Sequence, residues 1–518
     1  MGKIGIWQGM RGATACATLI MTAGCAFGPD FLPPAPPDVT RFTKEPLKSS
    51  SASDGSGKGQ GQRFAEDRDI AGEWWRLFHS KPLDDLIEDA LEHNPDIQAA
   101  QAALKVAHET TEAQRGAFAP QIGGGYNSFT SKTSTVVSPL GSTPSPYLTL
   151  HTAQVDVSYT PDVFGLVRRE VESDAALEAA QHLQVEATYL TLTSNVASGA
   201  INEASLRGQI EATKKIIKIE ADLLKLLRTQ KQLGQAAEAD VALQEAALAQ
   251  AEETLPPLEK QLLQQRDSLT ALAGRYPSAE VAQKFTLEAL KLPADLPVSL
   301  PSKVVENRPD VAMASANLHS ASALIGVAIA DRLPVINLTA NLSTAATNIG
   351  NFFAPPFNGY VLTAAATAPL FDGFTLYHKQ RAAEEGYNQA EAQYRSTVIT
   401  AFQNVADSLR AIQTDARELT AAVKAEAAAK KSLDITRKQL ELGQISTLAV
   451  LQAEQTYLTA VLASVQALAA RYADTVALYQ ALGGGWWNRQ DVPPPEKFNI
   501  IDVVRIAGPP PPPLTQQQ

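Results

Sequence analysis

Residues 336–343 read Ile336-Asn337-Leu338-Thr339-Ala340-Asn341-Leu342-Ser343. Ile336, Leu338, Ala340 and Leu342 alternate with Asn337, Thr339, Asn341 and Ser343, a period of two that specifies a strand with one apolar and one polar face. The period recurs upstream, where Val155, Val157 and Tyr159 alternate with Gln154, Asp156 and Ser158. Strands are therefore expected near 335–343 and 151–160, with less regular partners near 121–129 and 359–370. The intervening stretches 130–149 and 344–358 are rich in Ser, Thr, Pro, Gly and Asn, as loops are. A strand of about ten residues with opposed apolar and polar faces is the sequence form of a membrane β-barrel, although a soluble hairpin shows the same period.

Very long helices are expected to follow the strands. From Leu166 to Leu233 there is no proline and little glycine, and Phe374 to Leu442 is similar. At 1.5 Å per residue each run is roughly 100 Å long. Gly234 and Gly443 stand where the chain must reverse, as left-handed residues after a helix end. Return helices over 236–273 and 446–482 complete hairpins spanning 166–273 and 374–482. Ala and Leu dominate, with Leu223, Leu226, Leu227 and Leu233 read as a heptad-like seam. Pro256-Pro257 is expected to kink or break the first return helix.

The landmarks repeat. Asn94-Pro95-Asp96 recurs as Arg308-Pro309-Asp310, and Pro120 as Pro334, both 214 positions on. Val163-Phe164-Gly165 recurs as Leu370-Phe371-Asp372-Gly373, and Leu233-Gly234-Gln235 as Leu442-Gly443-Gln444. Order and spacing imply two homologous halves, 66–285 and 286–487. In each, a helix precedes the proline, which opens a second helix in its first turn. In the first half Leu83, Leu86, Ile87, Ala90 and Leu91 mark that leading helix.

The amino end reads as a targeting segment. Lys3 and Arg11 precede the apolar run Ala13 to Gly24, which is too short to span a bilayer but suits a secretory signal over 1–24. Thr22-Ala23-Gly24-Cys25 resembles a lipoprotein processing site, with Cys25 lipidated as the new first residue. Ala26, rather than Asp, implies sorting to the outer membrane. Residues 25–65 form a Pro- and Gly/Ser-rich linker, and 488–518 a Pro-rich tail.

Composition narrows the chemistry. The formal charge of −11 argues against a nucleic-acid binder that needs a basic face. The two cysteines are Cys16 and Cys25, so removal of the signal leaves no disulfide. The seven histidines carry no zinc spacing. No nucleophile elbow, His-Glu-x-x-His or Cys-x-x-Cys occurs, so no enzyme, cofactor or metal is expected. Gly55-Ser56-Gly57-Lys58-Gly59 lacks the spacing and preceding strand of a phosphate loop. Asp84-Asp85 and Glu384-Glu385 are adjacent on helices and so point to different faces. Asp156 is either a lumen residue or a merely solvated one. Arg168-Arg169 sits near headgroups or forms an ordinary surface pair. Trp74-Trp75 and Trp486-Trp487 read as packing residues rather than an interfacial belt.

Four strands cannot close a barrel, and open edges are forbidden in lipid, so several chains must each donate strands. The helices would then continue the barrel wall as a tube with a wet interior. The chain resembles the TolC-like outer-membrane efflux proteins, and closely their OprM/NodT lipoprotein branch. The resemblance rests on Cys25-Ala26-Phe27-Gly28-Pro29-Asp30-Phe31, Trp74-Trp75-Arg76-Leu77-Phe78 and Asn307-Arg308-Pro309-Asp310-Val311. Ala368-Pro369-Leu370-Phe371-Asp372-Gly373 and Leu482-Gly483-Gly484-Gly485-Trp486 extend it over nearly all of 19–487. It implies a mainly α protein with membrane β-structure, a homotrimer whose twelve-stranded barrel takes four strands per chain. A helical coiled-coil tunnel and a small mixed equatorial domain lie on the periplasmic side. Its implied place is the outer membrane of a Gram-negative bacterium, lipid-anchored. Its implied partners are a periplasmic adaptor and an inner-membrane pump, usually proton-driven and of the RND type, which together export small molecules.

Gly234, Gln235, Gly443 and Gln444 are the expected adaptor-docking tips, and Asp240, Ala449 and Gln452 the expected periplasmic entrance. Relatives often carry Asp six and nine positions after the second tip glycine, where this chain has Ala449 and Gln452. Asp240, at the matching place of the first hairpin, is either a latch toward Arg437 or Lys438 or a solvated first-turn acid. Two other functions stay open from the sequence: the outer-membrane channel of a type I protein secretion system, and a non-conducting, lipid-anchored envelope coiled coil.

Overall fold

The computed structural model describes residues 27–35, 37–45, 61–66, 68–132, 147–298, 301–351 and 358–489. The expected signal segment, Cys25 and nearly all of the Pro-rich tail lie outside them. The elements run β1 (Arg63–Glu66), α1 (Lys81–His93), α2 (Pro95–Arg115), β2 (Gln121–Lys132), β3 (Tyr147–Tyr159), α3 (Leu166–Gln232), α4 (Glu238–Glu253) and α5 (Leu255–Leu272). After them come β4 (Asp295–Val298), α6 (Pro301–Asn307), α7 (Pro309–Ala330), β5 (Val335–Ala346), β6 (Asn358–Thr367), α8 (Thr375–Glu441) and α9 (Thr447–Ala481).

The four long strands form one antiparallel sheet in the order β2-β3-β5-β6. Its register aligns the two patterns. Val155 faces Leu342, Val157 faces Ala340 and Tyr159 faces Leu338 on one side, while Asp156 faces Asn341 and Ser158 faces Thr339 on the other. The outer strands extend the apolar side, with Ile122 opposite Val157 and Leu362 opposite Ala340. β2 and β6 are edges with no strand beyond them among the described residues. Pro120 and Pro334 each stand immediately before a strand, where a missing amide donor costs no ladder bond.

A helix opened by a proline precedes each pair of strands and its long helix. Asn94 caps α2 by accepting from the amides of Asp96 (2.8 Å) and Ile97 (3.4 Å). At the matching point Arg308 grips Asp310 (2.7 Å) and donates to the Ala481 carbonyl (2.6 Å). α3 and α8 each have 67 residues, so each spans roughly 100 Å between sheet and reversal. The first return path divides at Thr254 into α4 and α5, two residues before the proline pair, whereas α9 runs unbroken. Proline at an interior position removes an amide donor and crowds the preceding turn, which breaks one return path and spares the other.

The main core lies around the middle of the long helices. Trp74, Trp75 and Phe78 pack there with Leu83, Leu86 and Ile87 of α1, Ile201 of α3, Leu409 of α8 and Tyr479 of α9. The Trp74 ring stacks on Tyr479 at 5.4 Å, and Trp486 Nε1 donates to the Asn307 carbonyl at 2.7 Å. Trp74, Trp75, Trp486 and Trp487 sit by this waist, and among the described residues no indole lies on the strands. The two-stranded parallel pair β1–β4 completes this small mixed module.

Two expectations need correction. Leu226 and Leu233 are exposed, and the buried stripe of α3 runs Ile216, Glu220, Leu223, Leu224 and Leu227, the 3.6-residue period of a straight helix. Arg168 and Arg169 are not a surface pair. Arg168 donates to Asp162 at 3.0 Å. Arg169 is buried and donates to the carbonyls of Phe27 (3.2 Å) and Gly28 (3.4 Å) and to the carboxylates of Asp30 (2.9 Å) and Glu172 (2.7 Å). Those bonds strap the start of the described chain to α3. Gly28 is required in this strap, since its φ is +106° and a Cβ there would meet the Cα of Gly326 at 2.5 Å.

Candidate functional site

The two reversals are built alike. Gly234 has φ +74° and Gly443 φ +69°, the left-handed conformation that glycine adopts without strain. The Gly234 amide donates to the Lys231 carbonyl (2.9 Å) and Gln235 to Gln230 (2.8 Å). The Gly443 amide donates to Leu440 (2.9 Å) and Gln444 to Gln439 (2.9 Å). This paired closure satisfies the last helical carbonyls at both ends. Both glycines have open space where a Cβ would stand, and Leu233, Gln235, Leu442 and Gln444 are exposed. The tips thus present a firm backbone turn to their surroundings.

The expected entrance residues follow the tips. Asp240 lies in the first turn of α4 and accepts from the Ala237 amide at 3.2 Å. Arg437, one of the proposed latch partners, is engaged elsewhere in the chain, so the Asp240–Arg437 latch does not form within one chain. Ala449 is half-buried and Gln452 exposed on α9. Neither brings a carboxylate to the surface there.

A cluster that the sequence reading missed lies just inside the tips, where four helices meet. Arg437 of α8 donates from Nη2 to Glu454 of α9 at 2.7 Å. Gln244 of α4 donates to the carboxylate of Glu220 on α3 and to the Glu220 backbone carbonyl (3.2 Å). Glu220, Gln244 and Glu454 are all buried. Burial first, then the neighbouring Glu454, pushes the Glu220 carboxyl up to about 8. Leu223, Leu224, Leu227, Val241, Leu433 and Val450 form the apolar layer beside it. The missed signal was the register itself, since Glu220 sits between Ile216 and Leu223, and Glu454 four after Val450, in stripes that are otherwise apolar.

At the opposite end the polar strand face is joined across strands. Asp156 accepts from Asn341 Nδ2 at 2.6 Å and from Gln154 at 2.9 Å. At the junction with α8, Leu370, Phe371 and Phe374 are exposed, while the matching Phe164 lies 6.1 Å from Phe27 under the strap. No cluster of metal-ligating side chains occurs among the described residues.

The protein combines a long helical body, an amphipathic sheet whose edges are unpaired among the described residues, and paired glycine reversals. The outer membrane efflux protein family model matches residues 86–275 and 300–484. The chain belongs to the outer membrane efflux protein family. It is an outer-membrane efflux component and works in transport rather than as a member of an enzyme family. The family members similar to it include the toluene efflux pump outer membrane protein TtgC of Pseudomonas putida, 26% identical over 474 residues, with 91% of this chain and 95% of TtgC covered. The cation efflux system protein CusC of Escherichia coli is 27% identical over 483 residues, covering 91% and 98%. In fold the chain matches the open state of the Neisseria gonorrhoeae MtrE outer membrane channel with a TM-score of 0.78 at 23% identity, covering 90% of this chain and 100% of that one. Each stretch of the family match takes in one long-helix hairpin.

Proposed function

We propose that the protein is the passive outer-membrane channel of a tripartite efflux system, a homotrimer whose chains each give β2, β3, β5 and β6 to a twelve-stranded barrel. The observation that carries this reading is the sheet: four strands share one apolar face, and neither edge is paired among the described residues. In lipid such edges must be paired, and identical chains pair them by closing a ring. The exposed Leu370, Phe371 and Phe374 beside β6 offer the next chain an apolar seam. The face with Asp156, Asn341, Ser158 and Thr339 lines the lumen, and α3–α5 with α8–α9 continue the wall into the periplasm as a tunnel.

The tips Gly234-Gln235 and Gly443-Gln444 dock a periplasmic adaptor, and Asp240, Ala449 and Gln452 border the entrance. An inner-membrane pump, of the proton-driven RND type, supplies the energy. Cys25 carries the lipid anchor after removal of 1–24, held two residues from the strapped Phe27. The repeats 66–285 and 286–487 arose by duplication of one hairpin-and-strand unit.

Purified protein in planar bilayers tests the reading. Stable ohmic channels from a species with three times the chain mass are expected. A detergent-soluble monomer with intact strands, or a trimer without conductance, overturns it. Mass spectrometry of the mature amino end tests the anchor, which an unmodified Cys25 rules out.

A further inference from the structure

Glu220 and Glu454 come from different hairpins, α3 of the first and α9 of the second, and both are buried beside one apolar layer, Glu220 under Gln244 of α4 and Glu454 under Arg437 of α8. Around them α4 contributes the neutral Gln244, α8 the cation Arg437, α9 the partly buried Tyr457, and Leu223, Leu227, Val241, Leu433 and Val450 form the apolar layer. Arg437 engages Glu454 Oε1. Glu454 Oε2 is buried and takes no hydrogen bond from a fixed donor. Two carboxyl groups in contact bond only when a proton lies between them. The guanidinium favours charge on Glu454, so the proton resides on Glu220.

We propose that Glu220 and Glu454 form a proton-held clasp between the two hairpins, closed while one proton is shared between their carboxyls and released when it leaves. With the proton, the cluster Arg437–Glu454–Glu220 is neutral. Without it, two buried carboxylates face one cation, and the way to solvate the extra charge is to part α3 from α9 beside the tips. The clasp thereby makes the hold between the hairpin ends depend on the pH of the surrounding compartment, tighter when acid and looser when alkaline. The consequence for transport rests on the channel reading above, whereas the clasp itself does not.

The test uses the assembled full-length protein. Hydrogen–deuterium exchange, normalised for intrinsic rate, is followed over 215–245 and 430–455 between about pH 6 and about 9.5. Protection in both segments is expected to fall roughly ten-fold, with a midpoint near pH 8. Glu220→Gln keeps a side-chain donor toward Glu454 without a titrating proton, so its protection stays level over the same range. Wild-type protection that does not change with pH overturns the proposal, as does a Glu220→Gln protein with the wild-type midpoint. Should that variant fail to assemble, Glu454→Gln also removes the carboxyl pair, and persistence of the transition in it is equally fatal. Bilayer conductance is recorded in parallel and is expected to rise across the same window in wild type alone. An exchange transition in a protein that carries no current sinks the channel reading and leaves the clasp standing.

Discussion

Arg437 and Glu454 meet at 2.7 Å, six positions before and eleven after Gly443. Arg228 and Glu245 hold the same two places about Gly234 and also meet at 2.7 Å. An ion pair thus crosses each hairpin at matching distances from its tip glycine, but its surroundings differ. In the first hairpin both side chains are about half exposed, while in the second Glu454 is wholly buried against Glu220 and Gln244. Removing Arg437 strands a buried carboxylate, whereas removing Arg228 leaves Glu245 to water. Arg437→Gln should therefore destabilise the helical body by about 3 kcal/mol, the low end for breaking a buried pair because Arg437 itself is partly exposed. Arg228→Gln should cost less than about 1 kcal/mol. Denaturant unfolding followed by helical circular dichroism checks the difference, and equal losses would mean that burial does not distinguish the two pairs.

The tip glycines act through conformation rather than space. A β-branched residue at φ +69° costs about 1–2 kcal/mol, yet the site has room for its side chain. Gly443→Val is expected to leave the oligomer intact while impairing efflux and adaptor crosslinking, with Gly234→Val similar. Unchanged drug susceptibility together with unchanged crosslinking would remove the tips from the docking surface.

The parts legible in the sequence were those set by local rules. The period of two at 336–343 and 154–159 gave the strands their faces, and the glycine after each long proline-free run gave the reversals. Helix-breaking prolines likewise announced the division at Thr254. The buried cluster was not legible because it depends on which helices meet, a non-local fact. Glu220 is an ordinary acid in an isolated α3 and becomes unusual only when α4 and α9 cover it. Arg169 shows the same limit, since its partners Phe27, Gly28 and Asp30 lie about 140 positions away in sequence. Leu226 and Leu233 fit a heptad in the sequence but are exposed, because the helix keeps its 3.6-residue turn.

Asp415 of α8 provides a second pH effect. Burial first, then contact with Asp474 of α9, pushes its carboxyl up to about 8. A carboxyl raised in the folded state contributes stability that is fully present below its unfolded value and is lost as pH rises through the folded one. The helical body should accordingly melt at higher temperature near pH 5 than near pH 8, the opposite of the usual salt-bridged acid. Asp415→Asn should flatten part of that dependence. A melting temperature that rises between those values would contradict the assignment.

The shared barrel has a test in the sheet. Leu338 lies on the apolar side, opposite Tyr159 and Ala364. Leu338→Arg should cost roughly 2–4 kcal/mol if the residue sits at mid-membrane, while Asn337→Arg on the polar side should be tolerated. Heat-resistant trimer on denaturing gels gives the readout, and the reverse ranking would invert the assignment of lipid and lumen faces.

The entrance should bind cations weakly. A ring of carboxylates at a narrow opening focuses negative potential and concentrates multivalent cations. At the expected entrance positions α9 carries Ala449 and Gln452, neither of which supplies charge. Asp240 is the remaining acid of the expected entrance, and its carboxylate is turned to the Ala237 amide at the start of α4. Its place is that of a helix-capping acid, where the dipole favours negative charge by about 0.3–1 kcal/mol. Single-channel current should therefore be blocked only weakly by divalent or trivalent cations added from the periplasmic side. Gln452→Asp gives a trimer one new carboxylate per chain at an exposed position and should strengthen that block. Asp240→Asn should change the block little and cost mainly the capping interaction. Tight block of the unmodified channel would show that another acidic ring forms the constriction, and the entrance would then have to be sought away from Asp240, Ala449 and Gln452.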